Sequence, residues 1–402
     1  MLEPKVFYRE MDLLLRQIGR KRSKQNFLLS IMRELEVRIA TKMHFANGRL
    51  YEKRGEALCR VFQARRNQNS VFVDRVMVDA RIFLLLMSQG SHIYHEFEFV
   101  TDPLRAQNVD GAFSAAFVVE SSNTIWLFCF DLEEGWNRDE ILFCFNAVRS
   151  ALNYRLLMDS VKNQWQEAAR IQKSLLPSYI PPVAGYDIAS YSQPAELLGG
   201  DFYDFLNLDN NVFGIVAGDA SGHGLSAALV VRDVITGLRM GLFAEMKMVN
   251  ALKKLNEVIQ RNTISSRFVS LVYGELEKKG NFVYVNAGHP PPLVLQRDRV
   301  TALAATGTIL GALPEIDLHR ANIQLEAGDS LVIYSDGIIE HKNEHRKQFG
   351  LRRLQRLLLE NRNSSASDIM EIVFRTVYEF GSGANWKDDT TVVVIKRLNH
   401  SE

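Results

Sequence analysis

Cysteine is scarce in this chain of 402 residues: Cys59, Cys129 and Cys144 are the only three, and they have no metal-ligand spacing. That excludes a disulfide framework and a thiolate metal site. It suits reduced, mostly buried thiols in a cytosolic protein, with one reactive sensor thiol as the alternative. Neither sign of charge dominates, since 48 Lys and Arg stand against 47 Asp and Glu. A balance so close to neutral supplies no field for nucleic acid or an anionic membrane surface, and neither is an expected partner. Long apolar runs are also missing. "IFLLLM" at 82–87 is far too short to span a bilayer, and "MLEPKVFYREMDLLLRQ" lacks the basic, apolar, small-residue order of a signal peptide. A cytoplasmic location is therefore expected. What is present is a globular balance, 47% hydrophobic and 24% charged, in a chain long enough for two or three domains.

Residues 1–150 read as a mixed α/β domain without catalytic spacing. "NFLLSIMRELEVRIA" has helical periodicity, "KMHFANGRLYEK" and "GEALCRVFQA" look like strands around a turn at Arg54-Gly55, and "SAAFVVESSNTIWLFCFDLEEG" reads as a hairpin turning at Ser121, Ser122 and Asn123. A helix then starts behind Asn137, a suitable N-cap ahead of acidic first-turn residues. It continues through 151–177. Ala151, Tyr154, Met158, Val161, Trp165, Ala168, Gln172 and Leu175 follow at steps of three and four, with Gln172 the one polar break and Pro177 the stop. Such a seam either packs on a neighbouring domain or joins two protomers as a short coiled coil. The homodimer through 151–176 is the favoured reading.

From 178 to 402 strands come in antiparallel groups interrupted by helix pairs, as in a layered α+β domain. "LLGGDFYDF" at 197–205 contains Gly-Gly-Asp-Phe, which superficially suggests a diguanylate cyclase turn. Yet Phe202 follows Asp201 directly and no glutamate precedes it. The acids that accompany Asp201 suit other chemistry. Asp219 ends "VFGIVAGD", Asp336 ends "SLVIYSD", and Asp388 with Asp389 precedes "TTVVVI". A single strand-end aspartate is more often a turn former. Four such strand ends together supply the oxygen donors that Mg²⁺ or Mn²⁺ prefer. Two such ions about 4 Å apart can share and acidify a water and clamp a phosphate for in-line attack.

"LLGGDFYDF", "GDASGHGLSAALVV", "VNAGHPPPLVL", "GDSLVIYSDGIIEHKN", "FGLRRL" and "DDTTVVVI" resemble, in order, the motifs of the SpoIIE/RsbU-like branch of metal-dependent (PPM-type) serine/threonine phosphatases. "WQEAARIQKSLLP" is similar to the linker that precedes such domains, and residues 20–155 resemble a GAF sensor domain, with a PAS-like fold as the other option. The resemblance implies an N-terminal GAF-like domain at 1–150, a helical linker at 151–177, and a PPM-type α-β-β-α sandwich at 178–402. It implies that Asp219 bridges two Mn²⁺ or Mg²⁺ ions and that the Ala220 carbonyl completes one site. Asp201 would serve the second ion, while Asp336 and Asp388 hold the first. Asp389 is the member to drop if only one acid of that pair binds.

Ala220 stands where relatives outside the branch usually have glycine, so its carbonyl suits the role only at negative φ. His223 is a candidate general acid, with a turn-shaping role as the alternative. His289 is expected to hold a loop, and no arginine, Arg232 included, is clearly aimed at phosphate. The implied substrate is a phosphorylated STAS-type anti-anti-sigma protein in a bacterial partner-switching pathway. The other class of function is a non-catalytic sensor or scaffold on a decayed phosphatase fold, which the full set of acids disfavours.

Overall fold

The computed structural model describes residues 11–16, 18, 27–64, 74–77, 86–94, 113–121, 124–208, 211–243, 246–262 and 267–399. Most of "IFLLLM" and the turn residues Ser122 and Asn123 lie outside them. The chain divides into two compact units, Met1–Gln164 and Trp165–Glu402.

In the first unit, α1 (Phe27–Glu34) runs through a π-helical turn, Leu35–Ile39, into α2 (Ala40–Met43). Beyond it come six antiparallel strands: β1 (Phe45–Arg54), β2 (Ala57–Gln63), β3 (Arg75–Met77), β4 (Ser91–Tyr94), β5 (Ser114–Glu120) and β6 (Ile125–Leu132), in the spatial order β3-β2-β1-β6-β5-β4. Alternation sends Leu50, Phe117, Phe128 and Phe130 into a core shared with the helices. Tyr51, Ala116, Leu127 and Cys129 enter a second core on the other face. Burial of both faces accounts for the nearly unbroken apolar run "SAAFVV" in β5. Among these residues Arg49, fully buried, is paired at 3.0 Å with Asp131.

The helix α3 (Arg138–Leu175) spans 38 residues. Asn137 caps it, its Oδ1 accepting from the N–H groups of Asp139 and Glu140. Its buried residues end at Leu152. Beyond that point Tyr154, Leu157, Met158, Val161, Trp165 and Ile171 are exposed, Tyr154 by 67%.

The second unit is built on two five-stranded antiparallel sheets. Sheet I comprises β8 (Asp201–Asn207), β9 (Val212–Ala220), β10 (Val269–Glu277), β11 (Asn281–Ala287) and β14 (Ala321–Gln324). Sheet II comprises β7 (Tyr186–Gln193), β12 (Leu293–Leu295), β13 (Val300–Ala302), β15 (Ser330–Tyr334) and β16 (Thr390–Arg397). Phe205, Phe213 and Ile215 of sheet I meet Ile333, Val393 and Ile395 of sheet II in a buried layer between them. α4 (Leu225–Phe243) and α5 (Met248–Asn262) cover the outer face of sheet I through Val231, Val234, Leu252 and Leu255. α7 (Leu351–Glu360) and α8 (Ala366–Phe380) cover sheet II through Leu354, Leu358, Ile369 and Val373, and one short helix, α6 (Asp336–Glu340), comes directly after β15. The unit is an α-β-β-α sandwich, the architecture expected from the sequence.

Candidate active site

Strand alternation places the acids. In β8, Tyr203 and Phe205 point into the layer between the sheets, so Asp201, two residues earlier, shares their face. Ile215 and Ala217 set the inward face of β9, which makes Asp219 the next inward residue. Val393 and Ile395 do the same for β16, and Thr391 and Asp389 continue that row. Asp201 and Asp219 are direct cross-strand partners. Asp336 begins α6 immediately after β15. Asp201, Asp219 and Asp389 thus each take the place of one more apolar residue at the end of the hydrophobic layer, and Asp336 and Asp388 act on Asp219 there. Two come from sheet I and the others from the β15 and β16 ends of sheet II.

The backbones approach closely enough to need glycine. A Cβ on Gly200 would lie 2.4 Å from the Ala220 carbonyl oxygen and 2.9 Å from Asp219 Oδ1. One on Gly337 would meet the Asp389 carbonyl oxygen. These glycines let the acid-bearing segments pack on one another.

Charge is concentrated here without compensation. Asp201 is 4% exposed, and neither carboxylate oxygen has a hydrogen-bond partner. Burial, then the Asp219 charge, raises its pKa well above the carboxylate range. The Ser335 and Thr391 hydroxyls ease that rise. Both are engaged elsewhere, though: Ser335 Oγ donates to the Asp389 carbonyl and Thr391 Oγ1 donates to Ser192 Oγ. Asp219 is pushed up to about 7 by burial and then by Asp336, Asp388 and Asp389. Asp336 is raised by burial, Asp388 and Glu340, and Asp388 by burial and Asp389. Mutually raised carboxylates are what remains when acids are gathered without a counter-charge.

Asp389 differs from its neighbours. Its Oδ1 accepts from Ala195 N–H at 2.8 Å and its Oδ2 from Gly200 N–H at 2.5 Å. Both oxygens are used in tying the 195–200 loop to β16, whereas the Asp388 carboxylate accepts only from its neighbour's N–H among the hydrogen bonds described. Ala220 is not among the positive-φ residues, so its backbone meets the condition set by its side chain. His223 is an exposed residue 3.8 Å from Glu196. It sits between Gly222 and Gly224, both at positive φ, in the turn entering α4. Arg232 pairs with its neighbour Asp233 at 3.0 Å.

The donors are all oxygen, one is a buried orphan, and all stand at one end of the sandwich. That chemistry fits a hard divalent cation. As the side chains stand, no group of three or more His, Cys, Asp or Glu among the described residues encloses an ion.

One contact at this site had no forecast in the sequence beyond a polar residue in an apolar seam. Gln172 Nε2 donates to the Gly199 carbonyl at 2.5 Å, and Gly199 N–H donates to Gln172 Oε1 at 3.2 Å. The break in the heptad therefore grips the loop that leads into Asp201. A cavity of about 390 Å³ opens beside it and reaches Asp201 and Asp389.

Residues 209–398 match the family model described as Stage II sporulation protein E (SpoIIE). The chain carries a SpoIIE-type PP2C phosphatase domain. It is 29% identical over 256 residues to Phosphoserine phosphatase RsbU of Bacillus subtilis (strain 168), covering 62% of this chain and 75% of that protein. Phosphoserine phosphatase RsbP of the same strain is 26% identical over 190 residues, covering 45% of this chain and 46% of RsbP. Among solved structures, the SiaA-PP2C domain of Pseudomonas aeruginosa superposes with a TM-score of 0.54 at 18% identity, covering 60% of this chain and 99% of that one. That likeness is one of fold, and it agrees with the sandwich described above. The enzyme class of this SpoIIE-type domain is that of the serine/threonine protein phosphatases.

Proposed function

We propose that the chain is a Mn²⁺- or Mg²⁺-dependent phosphatase acting on phosphoserine or phosphothreonine in a regulatory protein. The observation that carries this is the gathering of strand-end carboxylates from both sheets around a buried, unpartnered Asp201. In this reading Asp219 would serve both ions, Asp201 would help hold one, Asp336 and Asp388 would hold the other, and the Ala220 carbonyl would complete one site. Asp389, occupied by two backbone amides, holds the loop instead. When bound, the ions supply Lewis acidity toward phosphate and lower the pKa of water. The chain's own residues gather the acids at one end of the apolar layer between the sheets. His223, exposed near Glu196 on the turn into α4, is the candidate general acid in this reading.

The relatives' names support the substrate class: RsbU and RsbP are phosphoserine phosphatases. The substrate in this reading is a phosphorylated STAS-type regulator, as the motif resemblance implies, whose dephosphorylation would let it capture its partner. The first unit, without an acid cluster of this kind among its described residues, is read as a GAF-like sensor. Its signal would pass along α3. The open stripe Tyr154, Met158, Val161 and Trp165 supports pairing with the same helix of a second chain. The Gln172–Gly199 hydrogen bonds support a link from that helix to Asp201. No helix among the described residues is long and apolar enough to cross a membrane.

Phosphate release from a phosphoserine protein, with and without millimolar Mn²⁺, tests the activity. Metal-dependent turnover by the full chain that is lost in Asp219→Asn is expected, and turnover indifferent to metal would refute the reading. Trp165→Glu should convert dimer to monomer in sedimentation, and unchanged mass with unchanged activity would remove the helix-pairing part.

A further inference from the structure

His289 lies on the crossover between the sheets, after β11 of sheet I and before β12 of sheet II. It is 4% exposed. Its Nδ1 is 3.0 Å from Ser270 Oγ on β10, and Ser270 is the cross-strand partner of Asp219. On its other side the ring feels the backbone of Tyr334, the last residue of β15 and two before Asp336. One side chain therefore stands between the strand end beside Asp219 in one sheet, which it contacts through Ser270, and the strand end before Asp336 in the other.

The backbone of His289 is itself fixed. Its N–H donates to Asn286 Oδ1 at 2.9 Å, Asn286 Nδ2 donates back to the His289 carbonyl at 3.1 Å, and Asn286 is fully buried. Pro290, Pro291 and Pro292 stiffen the chain between His289 and β12. Burial lowers the ring pKa to about 4, so the ring is neutral at physiological pH, with one donor and one acceptor for its two partners. A loop-holding residue needs neither neighbour to lie beside a site acid; Ser270 pairs with Asp219 and Tyr334 is two residues from Asp336.

We propose that His289 is a positioning residue that sets the spacing between the Asp219 and Asp336 strand ends and thereby the divalent-metal affinity of the site. The inference rests on the metal-site reading above. It differs from loop support in a measurable way: the metal affinity depends on the ring, and the effect passes through Ser270.

Mn²⁺ titration of the full chain by calorimetry tests it without substrate. His289→Ala should weaken Mn²⁺ binding about tenfold, the scale for outer-shell supports of metal ligands. His289→Gln, which keeps a donor and an acceptor, should recover most of that loss. Ser270→Ala should weaken binding by a smaller factor, and the double alanine variant should bind no worse than His289→Ala alone, because both act through one link. Wild-type affinity in a folded His289→Ala variant would overturn the inference. If that variant does not fold, wild-type affinity in Ser270→Ala overturns it equally. A wild-type chain that takes up no Mn²⁺ would instead bring down the metal-site reading itself.

Discussion

Three buried aspartates stand in different company. In the first unit Asp131 pairs with Arg49 at 3.0 Å and accepts from Asn47 Nδ2 at 2.9 Å. In β8 of the second, Asp204 is 3% exposed and meets Arg239 Nε at 2.8 Å, with the Phe205 N–H on its other oxygen. Three residues before it, Asp201 is equally buried and has neither a cation nor a hydrogen-bond partner. Burying an ionised carboxylate is tolerated when charge and lone pairs are met, and is otherwise strongly unfavourable. The first two acids satisfy that rule within the chain. The third does not, and its neighbours Asp219, Asp336 and Asp388 raise one another's pKa values in the same way. The contrast separates acids that support the fold from acids whose counter-charge must come from outside it.

The largest effect that sharpens the contrast is on catalysis. Asp219→Asn should lower metal-dependent phosphate release by about a hundredfold or more, the scale for losing one aimed electrostatic contact, while Asp204→Asn retains most activity. Next is the compensated pair: Arg49→Met leaves Asp131 buried without its cation and should destabilise the first unit by about 3 to 5 kcal/mol in denaturant unfolding. Asp201→Asn should do the reverse, stabilising the metal-free protein by about 1 kcal/mol while weakening metal binding, as expected where function holds a group against stability.

The pH dependence has a definite sign. Asp219 is raised in the folded state above its ordinary value, so its favourable contribution is full below about pH 4 and is lost as pH rises through about 7. Metal-free wild type should therefore lose stability relative to Asp219→Asn as pH goes from 5 to 7, read as the difference between two melting curves. His289 acts oppositely, its contribution full above about 6.5 and lost as pH falls through about 4, and it cancels in that comparison. The smallest effect belongs to the loop clasp. Gln172→Ala removes two hydrogen bonds to Gly199 and should lower stability by about 1 kcal/mol, with a loss of activity that Arg232→Ala does not share.

Much of this was legible in the sequence because period and chemistry coincide there. Asn137 caps α3 as its position implied, and the layered α+β character follows from antiparallel strand groups interrupted by helix pairs, while the family resemblance implied the α-β-β-α order. The aspartates were visible because each stands at one end of a strand-like run. What could not be seen was which partner each one finds. Asp388 and Asp389 are adjacent and chemically identical, and only the fold shows that Asp389 is taken by the amides of Ala195 and Gly200. Asp204 looks like Asp201 in "GGDFYD", yet alternation turns it to the opposite face, where Arg239 of α4 meets it. Gln172 read as a flaw in a seam because its reason, Gly199, lies 27 residues along the chain. Long-range partners of polar residues leave no periodic trace.

The central claim is that the acids around Asp201 await a divalent cation, and the most direct test is the thermal midpoint of the second unit as Mn²⁺ is added. Wild type should melt low without metal and rise steadily with Mn²⁺, by linkage to binding, while Asp201→Asn should start higher and rise far less. A wild-type midpoint unmoved by millimolar Mn²⁺, or an Asp201→Asn variant that rises as steeply as wild type, would contradict the account.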